Sequence, residues 1–351
     1  MGIERLLGLQ SAPRAQKLLS IAKQCITAVV LGASACAAVA AAERHCPPAQ
    51  TLPTPQEMAV LQRQAQDRGL LWQLDYQGRT SWLYGTIHVN KRAWWHPGPR
   101  TVQALASADA LALELDLHDP AVIQALSDGM RAQPGAAPLP AALQQRLDRQ
   151  LQAACAQSEA ALLRPQAQVL TLLTLVARRQ GLDPQLGVDV VLASAAREMG
   201  KPVLGLETPE TQLRELISDD PQQVRRSVNA GLQQLERPDA ARHLARLAQA
   251  WADGDSQLLD RYPQWCGCLN SPAERAQYQR LIEGRNPGMA AAIAAQLRSG
   301  RTLFAAVGAM HLVGARSVPA LLAAQGIHVR RVEFGAQDRA PVAGAKKPVA
   351  P

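Results

Sequence analysis

Short apolar runs bounded by turn residues recur along the chain. Residues 70–74 and 81–85 flank the turn Tyr76-Gln77-Gly78-Arg79, and this spacing predicts a β-hairpin. Four later runs have the length and apolar content of buried strands: residues 110–115, 202–206, 302–307 and 328–334. The intervals between these later runs are long enough to hold helices.

Helical periodicity fills most of those intervals. A first helix is predicted within residues 51–69, behind a Pro-rich stretch. Further helices are predicted near residues 139–160, 164–180 and 184–199, and a long helical stretch covers about residues 218–285. Strands separated by helices favour parallel neighbours, and the hairpin is expected to add an antiparallel edge.

The whole pattern predicts an α/β fold with a mixed, mostly parallel central sheet, an N-terminal β-hairpin and many flanking helices. We expect a single domain over residues 68–335 that contains a helical insertion at about residues 139–285. A Pro-rich segment and the first helix precede this domain at residues 43–67. Residues 336–351 are rich in Ala, Pro, Gly and Lys without periodicity, which predicts a flexible tail.

The N-terminus has the features of an export signal. Four basic residues precede an apolar run at residues 25–42, and small residues at Ala38, Ala40 and Ala42 suit cleavage after Ala40 or Ala42. We therefore expect residues 1–42 to be removed and the protein to be periplasmic. The alternative is an uncleaved segment that anchors the protein in the inner membrane. No later apolar run reaches the roughly 20 residues of a membrane span.

Composition and charge exclude two further classes of protein. The chain has 351 residues, 47% apolar and 19% charged, which is typical of a globular protein rather than a disordered one. Its formal charge is +8, and loss of residues 1–42 removes four Lys/Arg and one Asp/Glu, leaving +5. This excess is spread out and forms no basic run, so no nucleic-acid partner is expected.

Four of the six cysteines lie beyond the predicted signal: Cys46, Cys155, Cys266 and Cys268. An even number in an oxidising compartment predicts up to two disulfides, and the sequence leaves all three pairings open. A bond from Cys46 to any of the others would attach the Pro-rich segment to the helical region. Cys266-Gly267-Cys268 is alternatively a redox site or half of a metal site.

The pattern Gly-x-x-His occurs twice, each time directly after a strand-like run, and ends at His88 and at His311. Carboxylates follow two other predicted strands, at Glu114 and at Glu207. In an open α/β sheet, ligands bind beyond the carboxyl ends of the strands. Two histidines with one or two carboxylates form a plausible ligand set for a divalent transition metal.

Each of these residues also has a structural interpretation. Glu114 could face solvent from a half-exposed strand, and Glu207 could cap the helix that begins at Pro209. Asn286 has the features of an N-cap residue with Pro287 at the first helical position. Arg285 beside it is either an anion clamp or a salt-bridge partner. The remaining histidines, His45, His96, His118, His243 and His328, are treated as surface residues.

The order and spacing of these segments resemble the TraB/PrgY/GumN family over roughly residues 68–335. The matching segments are Ser81-Trp82-Leu83-Tyr84-Gly85-Thr86-Ile87-His88, Leu113-Glu114-Leu115-Asp116, Gly187-Val188-Asp189, Gly205-Leu206-Glu207-Thr208, Arg285-Asn286 and Val307-Gly308-Ala309-Met310-His311-Leu312-Val313-Gly314. The family includes the TIKI proteins, described as metal-dependent proteases, and is distantly similar to erythromycin esterases and ChaN-type haem-uptake proteins. The resemblance implies an active site at His88, Glu114 and His311, with Arg285 as a further polar member.

The proposed ligand set predicts metal-assisted hydrolysis, and the resemblance to the TIKI proteins implies that a peptide bond is the substrate. His88, His311 and Glu114 would hold the ion, or Glu114 would act as general base, and Arg285 would stabilise the oxyanion. Asp116, Asp189 and Glu207 are candidates for supporting positions around the site. Two alternatives remain open: a metal-free His/Glu hydrolase that acts on a small ester, and a non-catalytic protein that sequesters peptides.

Overall fold

The predicted β-hairpin begins the sheet of the protein, whose computed structural model describes residues 46–335. Strand β1 (Leu71–Tyr76) pairs with β2 (Arg79–Thr86) through a tight turn. Gln77 and Gly78 both adopt positive φ values, 48° and 74°. A two-residue hairpin loop needs this backbone conformation to match the strand twist. The predicted signal, His45 and the predicted tail lie outside the described residues.

Six strands form one sheet in the order β4-β3-β5-β2-β1-β6. The later strands are β3 (Ala110–Leu113), β4 (Val203–Gly205), β5 (Leu303–Gly308) and β6 (His328–Val332). Strands β2, β5, β3 and β4 are parallel neighbours, so their carboxyl ends lie along one edge of the sheet. The predicted α/β fold with a mixed, mostly parallel sheet is confirmed.

The position of the hairpin in the sheet differs from the prediction. Strand β6 pairs antiparallel with β1, so β6 is the edge strand and both hairpin strands are internal. Arg330 donates a hydrogen bond to Gln73, and the Arg331 guanidinium lies over the Trp72 ring. Without β6, one edge of β1 would present unpaired backbone N–H and C=O groups. Strand β6 supplies their hydrogen-bond partners.

Helices account for most of the remaining residues. The α-helices are α1 (Pro55–Arg63), α2 (Pro99–Ser107), α3 (Pro120–Met130), α4 (Ala141–Ala154), α5 (Gln157–Ala160), α6 (Pro165–Leu175), α7 (Val188–Glu198), α8 (Pro209–Leu216), α9 (Pro221–Leu235), α10 (Ala240–Ala252), α11 (Ser256–Asp260), α12 (Tyr262–Trp265), α13 (Pro272–Leu281), α14 (Asn286–Arg298) and α15 (Val318–Ala324). Short 3-10 helices occur at Arg92–Trp94, Val176–Gln180, Pro184–Leu186 and Ala309–Leu312. Within residues 46–335, no helix combines the length and apolar character that crossing a membrane requires.

The long helical stretch predicted at residues 218–285 is divided into five helices, α9 to α13. Prolines explain two of the boundaries, because proline lacks a backbone N–H and disfavours helical geometry in the residue before it. Asp220 caps α9 in front of Pro221, and Ser271 caps α13 in front of Pro272. The first helix is likewise shorter than predicted, since Thr54 caps it at Pro55.

Two large apolar clusters stabilise the fold, and a third, small one surrounds Leu182. The larger one joins the sheet to α7, α10 and α14, and contains the buried side chains of Phe304, Trp251 and Ile293. The second large one lies among α4, α6 and α9, with Leu147, Leu172 and Leu232 at its centre. The helical region therefore has an apolar core of its own.

Both pairs of cysteines are bonded: Cys46 with Cys155, and Cys266 with Cys268. The first bond joins residues 109 positions apart and attaches the Pro-rich segment to the end of α4. The prediction that Cys46 fixes this segment to the helical region is confirmed. The second bond joins two cysteines separated only by Gly267.

Candidate active site

The predicted site residues follow four neighbouring parallel strands. Glu114 comes directly after β3, Glu207 follows β4, and His88 follows β2. His311 lies in the 3-10 helix that continues from β5. The strand order β4-β3-β5-β2 therefore places all four residues at one edge of the sheet.

A buried ion cluster lies at the centre of this edge. Arg285 Nε donates to Glu207 Oε1 at 3.0 Å, and Arg285 Nη2 donates to Glu114 Oε2 at 2.5 Å and to Glu207 Oε2. The Arg285, Glu114 and Glu207 side chains are 14%, 11% and 5% exposed. Two carboxylates share one guanidinium, so the cluster has one net negative charge when both are ionised.

The structural interpretations of both glutamates are wrong. Glu114 does not face solvent, and the cap of α8 is Thr208, whose side chain accepts a hydrogen bond from Thr211 N. Gln212, which the sequence did not single out, donates to Glu114 Oε2 at 3.3 Å and to Glu207 Oε2 at 3.1 Å. Its position in α8, five residues after Glu207, was the only available signal.

Gly308, the glycine of the second Gly-x-x-H segment, lies in contact with Glu114 and close to His311. The Gly308 amide donates to Glu114 Oε1 at 2.7 Å. A Cβ atom at Gly308 would lie 3.2 Å from that oxygen and 3.5 Å from His311 Cδ2. The missing side chain thus leaves room for the carboxylate beside the imidazole.

The glycine of the first Gly-x-x-H segment permits close packing of the two segments. A Cβ atom at Gly85 would lie 3.2 Å from Ala309 Cα and 3.1 Å from Leu312 Cδ1. The Gly85 carbonyl accepts a buried hydrogen bond from Trp251 Nε1 at 2.7 Å. Both glycines therefore serve contacts that a side chain would obstruct.

His311 is buried and held in one orientation by Asn286. Its Nδ1 lies 2.7 Å from Asn286 Oδ1, while Asn286 Nδ2 donates to the Arg316 carbonyl at 2.8 Å. Because the amide nitrogen donates to Arg316, the oxygen must face His311 and accept its Nδ1 proton. Burial lowers the pKa of His311 and outweighs the opposing effect of Glu114, so the neutral imidazole is favoured.

The neutral His311 leaves Nε2 with a free lone pair, 3.9 Å from Glu114 Oε1. Burial alone would raise the pKa of Glu114, but the positive charges of Arg285 and His88 and the hydrogen bond from the Gly308 amide hold that pKa well below its usual value. Two acceptor atoms therefore face each other at a distance longer than a hydrogen bond. The space between them suits a cation or a group that donates protons.

Asn286 does not have the role predicted for it. Arg285 occupies the N-cap position of α14, and Asn286 is its first residue and is 1% exposed. The Asn-Pro sequence matches an N-cap pattern, but the Asn286 side chain instead serves contacts with His311 and Arg316, which are distant in sequence.

His88 lies at the same edge but contacts Asp189. Its Nδ1 is 3.4 Å from Asp189 Oδ2, and the His88 side chain is 64% exposed. The Asp189 carboxylate raises the pKa of His88 despite the opposing effect of desolvation, and Glu114 adds to the rise. Asp189 is placed by the start of α7, where Val188 N donates to the Ile87 carbonyl at 2.9 Å.

Asp116 is directed away from the Glu114 cluster. Its Oδ2 accepts from Arg197 Nη2 at 2.5 Å, and its Oδ1 accepts from the His118 backbone N–H. His328 is exposed, as predicted, whereas His96, His118 and His243 are half-buried rather than on the surface. The structure thus brings Glu114, Glu207, Arg285 and His311 together and pairs Asp116 elsewhere.

The predicted metal ligands fit an ion in part. Two ligands bound to one zinc ion at about 2.1 Å lie at most about 4.2 Å apart, so His311 Nε2 and Glu114 Oε1 suit one ion. His88 is paired with Asp189 instead. Among the residues that the structure describes, no group of three or more His, Cys, Asp or Glu side chains is arranged to hold a metal ion.

Arg285 has little capacity left to bind a substrate. Its Nε and Nη2 donate to the two glutamates, and its Nη1 lies 3.4 Å from the Leu281 carbonyl. These contacts use four of the five guanidinium N–H donors, so only the second hydrogen of Nη1 could contact an oxyanion without opening one of them. The direct effect of Arg285 in this arrangement is to hold both carboxylates in place and to help lower the pKa of Glu114.

Comparison with known proteins agrees with these strand-end segments. A model of the TraB/PrgY/gumN family matches residues 70–331, which include every residue of the site. No curated protein and no solved structure matches the chain.

Proposed function

Because the chain belongs to the TraB/PrgY/gumN family, we propose that it is a hydrolase whose reaction takes place at the Glu114–His311 pair. The observation that carries the proposal is the placement of His311 Nε2, 3.9 Å from Glu114 Oε1 in a buried position beside Arg285. Two facing acceptors of this kind can take a proton from water or hold a cation that polarises a carbonyl group. The substrate class is a peptide bond, with a small ester as the alternative.

The proposed cofactor is a divalent transition metal ion held by His311 Nε2 and Glu114, with His88 joining after its side chain turns from Asp189. When bound, such an ion supplies Lewis acidity for the carbonyl of the scissile bond. The low pKa of Glu114 favours a role as ligand over a role as general base, since a weak base removes protons poorly. Asn286 keeps His311 in the tautomer that binding requires.

A metal-free hydrolase is the second candidate, and the same tautomer supports it. With Nδ1–H donated to Asn286, the lone pair of His311 Nε2 can take a proton from an attacking water. Glu114 would then stabilise the imidazolium that forms, as a buried carboxylate does in other hydrolytic sites. The pairing of His88 with Asp189 rather than with Glu114 favours this candidate.

We further propose a periplasmic location. The predicted export signal supports it, as does the Cys46–Cys155 bond, because disulfides persist in oxidising compartments.

Turnover by untagged protein tests the proposal. The protein is assayed against a peptide library and a set of small esters, and its metal content is measured by mass spectrometry before and after chelation. A metal-dependent hydrolase loses turnover on chelation and regains it when one divalent ion is returned. Full turnover after exhaustive chelation supports the metal-free candidate.

Two variants complete this experiment. His311→Ala should abolish turnover in both candidates, whereas Asp116→Asn, which alters a carboxylate paired with Arg197 outside the cluster, should retain it. If wild-type protein binds peptides but turns over none of the substrates, the proposal is contradicted. Peptide sequestration without catalysis is then the remaining function.

A further inference from the structure

The Cys266–Cys268 bond has a feature that structural disulfides lack. It joins cysteines two positions apart in the connection from α12 to α13, with Gly267 between them at φ +58°. A cross-link stabilises a fold mainly by restricting the unfolded chain, and it restricts more when the enclosed loop is longer. The Cys46–Cys155 bond encloses a long loop, but Cys266–Cys268 encloses almost none. Stabilisation therefore does not account for this bond.

The two cysteine residues differ in their access to solvent. Cys266 is 3% exposed, whereas Cys268 is half-buried. A thiolate that attacks a disulfide must reach one sulfur and expel the other. The structure thus favours attack at Cys268 Sγ, with Cys266 as the leaving thiolate.

One hydrogen-bond donor is placed where this leaving thiolate would form. The Cys268 backbone N–H donates to Cys266 Sγ at 3.0 Å, and this contact stabilises negative charge on the sulfur. The Tyr262 hydroxyl lies 3.5 Å from the other sulfur, Cys268 Sγ, and burial raises the pKa of Tyr262, so a protonated hydroxyl is available when Cys268 is itself released as a thiolate. Arg237 Nη1 donates to the Gly267 carbonyl and holds the connection in place.

A cavity of about 200 Å³ adjoins both cysteines. Aliphatic side chains line much of it, among them Leu173, Val176, Leu235 and Leu244. A partner could insert one apolar side chain there while its thiol reaches Cys268. The connection from α12 to α13 therefore combines three features: an accessible cysteine, a donor that stabilises the leaving thiolate, and an apolar cavity that can receive a partner side chain.

We propose that Cys266-Gly267-Cys268 is a thiol–disulfide exchange site that oxidises a peptide dithiol carrying an apolar side chain next to its cysteine. One partner thiolate attacks Cys268 Sγ, the Sγ–Sγ bond breaks, and Cys266 leaves as a thiolate. The second partner thiolate attacks the partner sulfur of the mixed disulfide and releases Cys268. The peptide loses two electrons and becomes a disulfide, the protein gains them as a dithiol, and the two protons pass to the new thiols. The site is independent of the proposed hydrolytic function.

Redox titration of the wild-type full chain tests this without any substitution. The protein is equilibrated in glutathione buffers of increasing reducing strength, free thiols are trapped by alkylation, and each cysteine pair is read by peptide mass mapping. Cys46–Cys155 serves as the internal control. For each pair, the midpoint is the ratio of the squared concentration of reduced glutathione to the concentration of oxidised glutathione at which half of the pair is reduced. We expect the midpoint of Cys266–Cys268 to be at least about tenfold lower than that of Cys46–Cys155. Reduction of both pairs together, or of Cys46–Cys155 first, overturns the proposal.

A matched pair of variants tests the direction of attack. Cys266→Ser leaves Cys268 as the free thiol, and Cys268→Ser leaves Cys266. An aromatic disulfide reagent should modify the Cys266→Ser variant at least about tenfold faster than the Cys268→Ser variant, because the thiol that remains in Cys266→Ser belongs to Cys268, the more accessible cysteine. Equal rates, or faster modification of Cys268→Ser, contradict the assignment.

The activity itself is measured with a reduced peptide that carries two cysteines, one of them next to a leucine. Wild-type protein should convert one peptide per chain to its disulfide, and the variant lacking both Cys266 and Cys268 should convert none. Equal conversion by the two proteins overturns the proposal.

Discussion

Asn286 Oδ1 lies 2.7 Å from His311 Nδ1 although the two residues are 25 positions apart in the sequence. Asn286 is itself oriented by its bond to the Arg316 carbonyl, so the amide cannot rotate without losing a partner. This single contact determines which ring nitrogen of His311 carries the proton and which faces Glu114.

Removal of the Asn286 amide should release His311. We expect Asn286→Leu to lower kcat/KM about 10- to 100-fold, the range found when a partner that orients a histidine ligand is lost. The free energy of unfolding should fall by about 2 kcal/mol, because the Arg316 carbonyl and His311 Nδ1 lose buried partners. Nitrogen NMR shifts of His311 report the tautomer directly. Asn286→Asp keeps an acceptor for the Nδ1 proton but adds a negative charge, so it should raise the pKa of His311; an unchanged tautomer in Asn286→Leu contradicts the assignment.

Replacement of Glu114 by glutamine separates two roles for this residue. Glu114→Gln keeps an oxygen for the Gly308 amide but removes the charge, so kcat should fall by at least about 100-fold. Metal analysis of the same variant then distinguishes the two roles. If Glu114 is a metal ligand, the variant loses both its metal and its turnover; if Glu114 is a general base, the variant keeps its metal and loses only turnover. Asp116→Asn is the control, because Asp116 pairs with Arg197 and should tolerate the change.

The space provided by Gly308 should be essential for activity. In Gly308→Ala the new Cβ lies 3.2 Å from Glu114 Oε1, so the carboxylate must move by a few tenths of an ångström from its position beside His311. We expect a fall in kcat of about 100-fold, as small displacements of catalytic groups produce. Gly288→Ala adds a methyl group in α14 that meets no atom within 4 Å, and should leave activity unchanged. Equal kcat values for the two variants contradict a positioning role for Gly308.

His88 should titrate above the ordinary value of about 6.5. Asp189 raises its pKa, so the ion pair stabilises the fold fully below pH ~6.5 and this stabilisation is lost as pH rises through the native-state pKa. Because the His88 side chain is 64% exposed, solvent screens the pair and the effect on stability is small. Proton NMR of the His88 ring gives the pKa, and Asp189→Asn should lower it. A native pKa at or below the ordinary value, or one unaffected by Asp189→Asn, would reject the pairing.

The two disulfides should contribute very differently to stability. Loss of Cys46–Cys155 through a double serine substitution should lower the free energy of unfolding by about 2–5 kcal/mol, because the bond spans 109 residues. Loss of Cys266–Cys268 should cost much less, since the loop it closes is minimal. Denaturant unfolding of both double variants measures the difference. Equal losses would show that loop length does not determine these contributions.

Much of the fold and the location of the candidate site could be predicted from local patterns. Apolar runs gave the strands, and the parallel order placed residues such as Glu114 and His311 at one edge before any distance was known. The two Gly-x-x-H segments were informative because each glycine and each histidine occupies a strand end. These features depend on residues close together in the sequence.

Contacts between distant segments could not be predicted in this way. Asn286 matches an N-cap pattern, and only the fold reveals that it contacts His311. Gln212 gave no signal beyond its spacing from Glu207. Likewise, β6 pairs with β1 because the other strands leave one backbone edge of β1 open. Which edge stays open depends on the order of all the strands in the sheet.

The pairing of β1 with β6 also constrains how the molecule is assembled. β1 is the earliest strand and β6 the latest, so the sheet is complete only after Val332 has been synthesised. Until then β1 has one backbone edge without its final partner, and a nascent or truncated chain could pair there with another polypeptide. The same adjacency suggests an engineering route, because a short linker from the end of β6 to the start of β1 would allow a circular permutant opened at a surface loop, such as the one between α9 and α10.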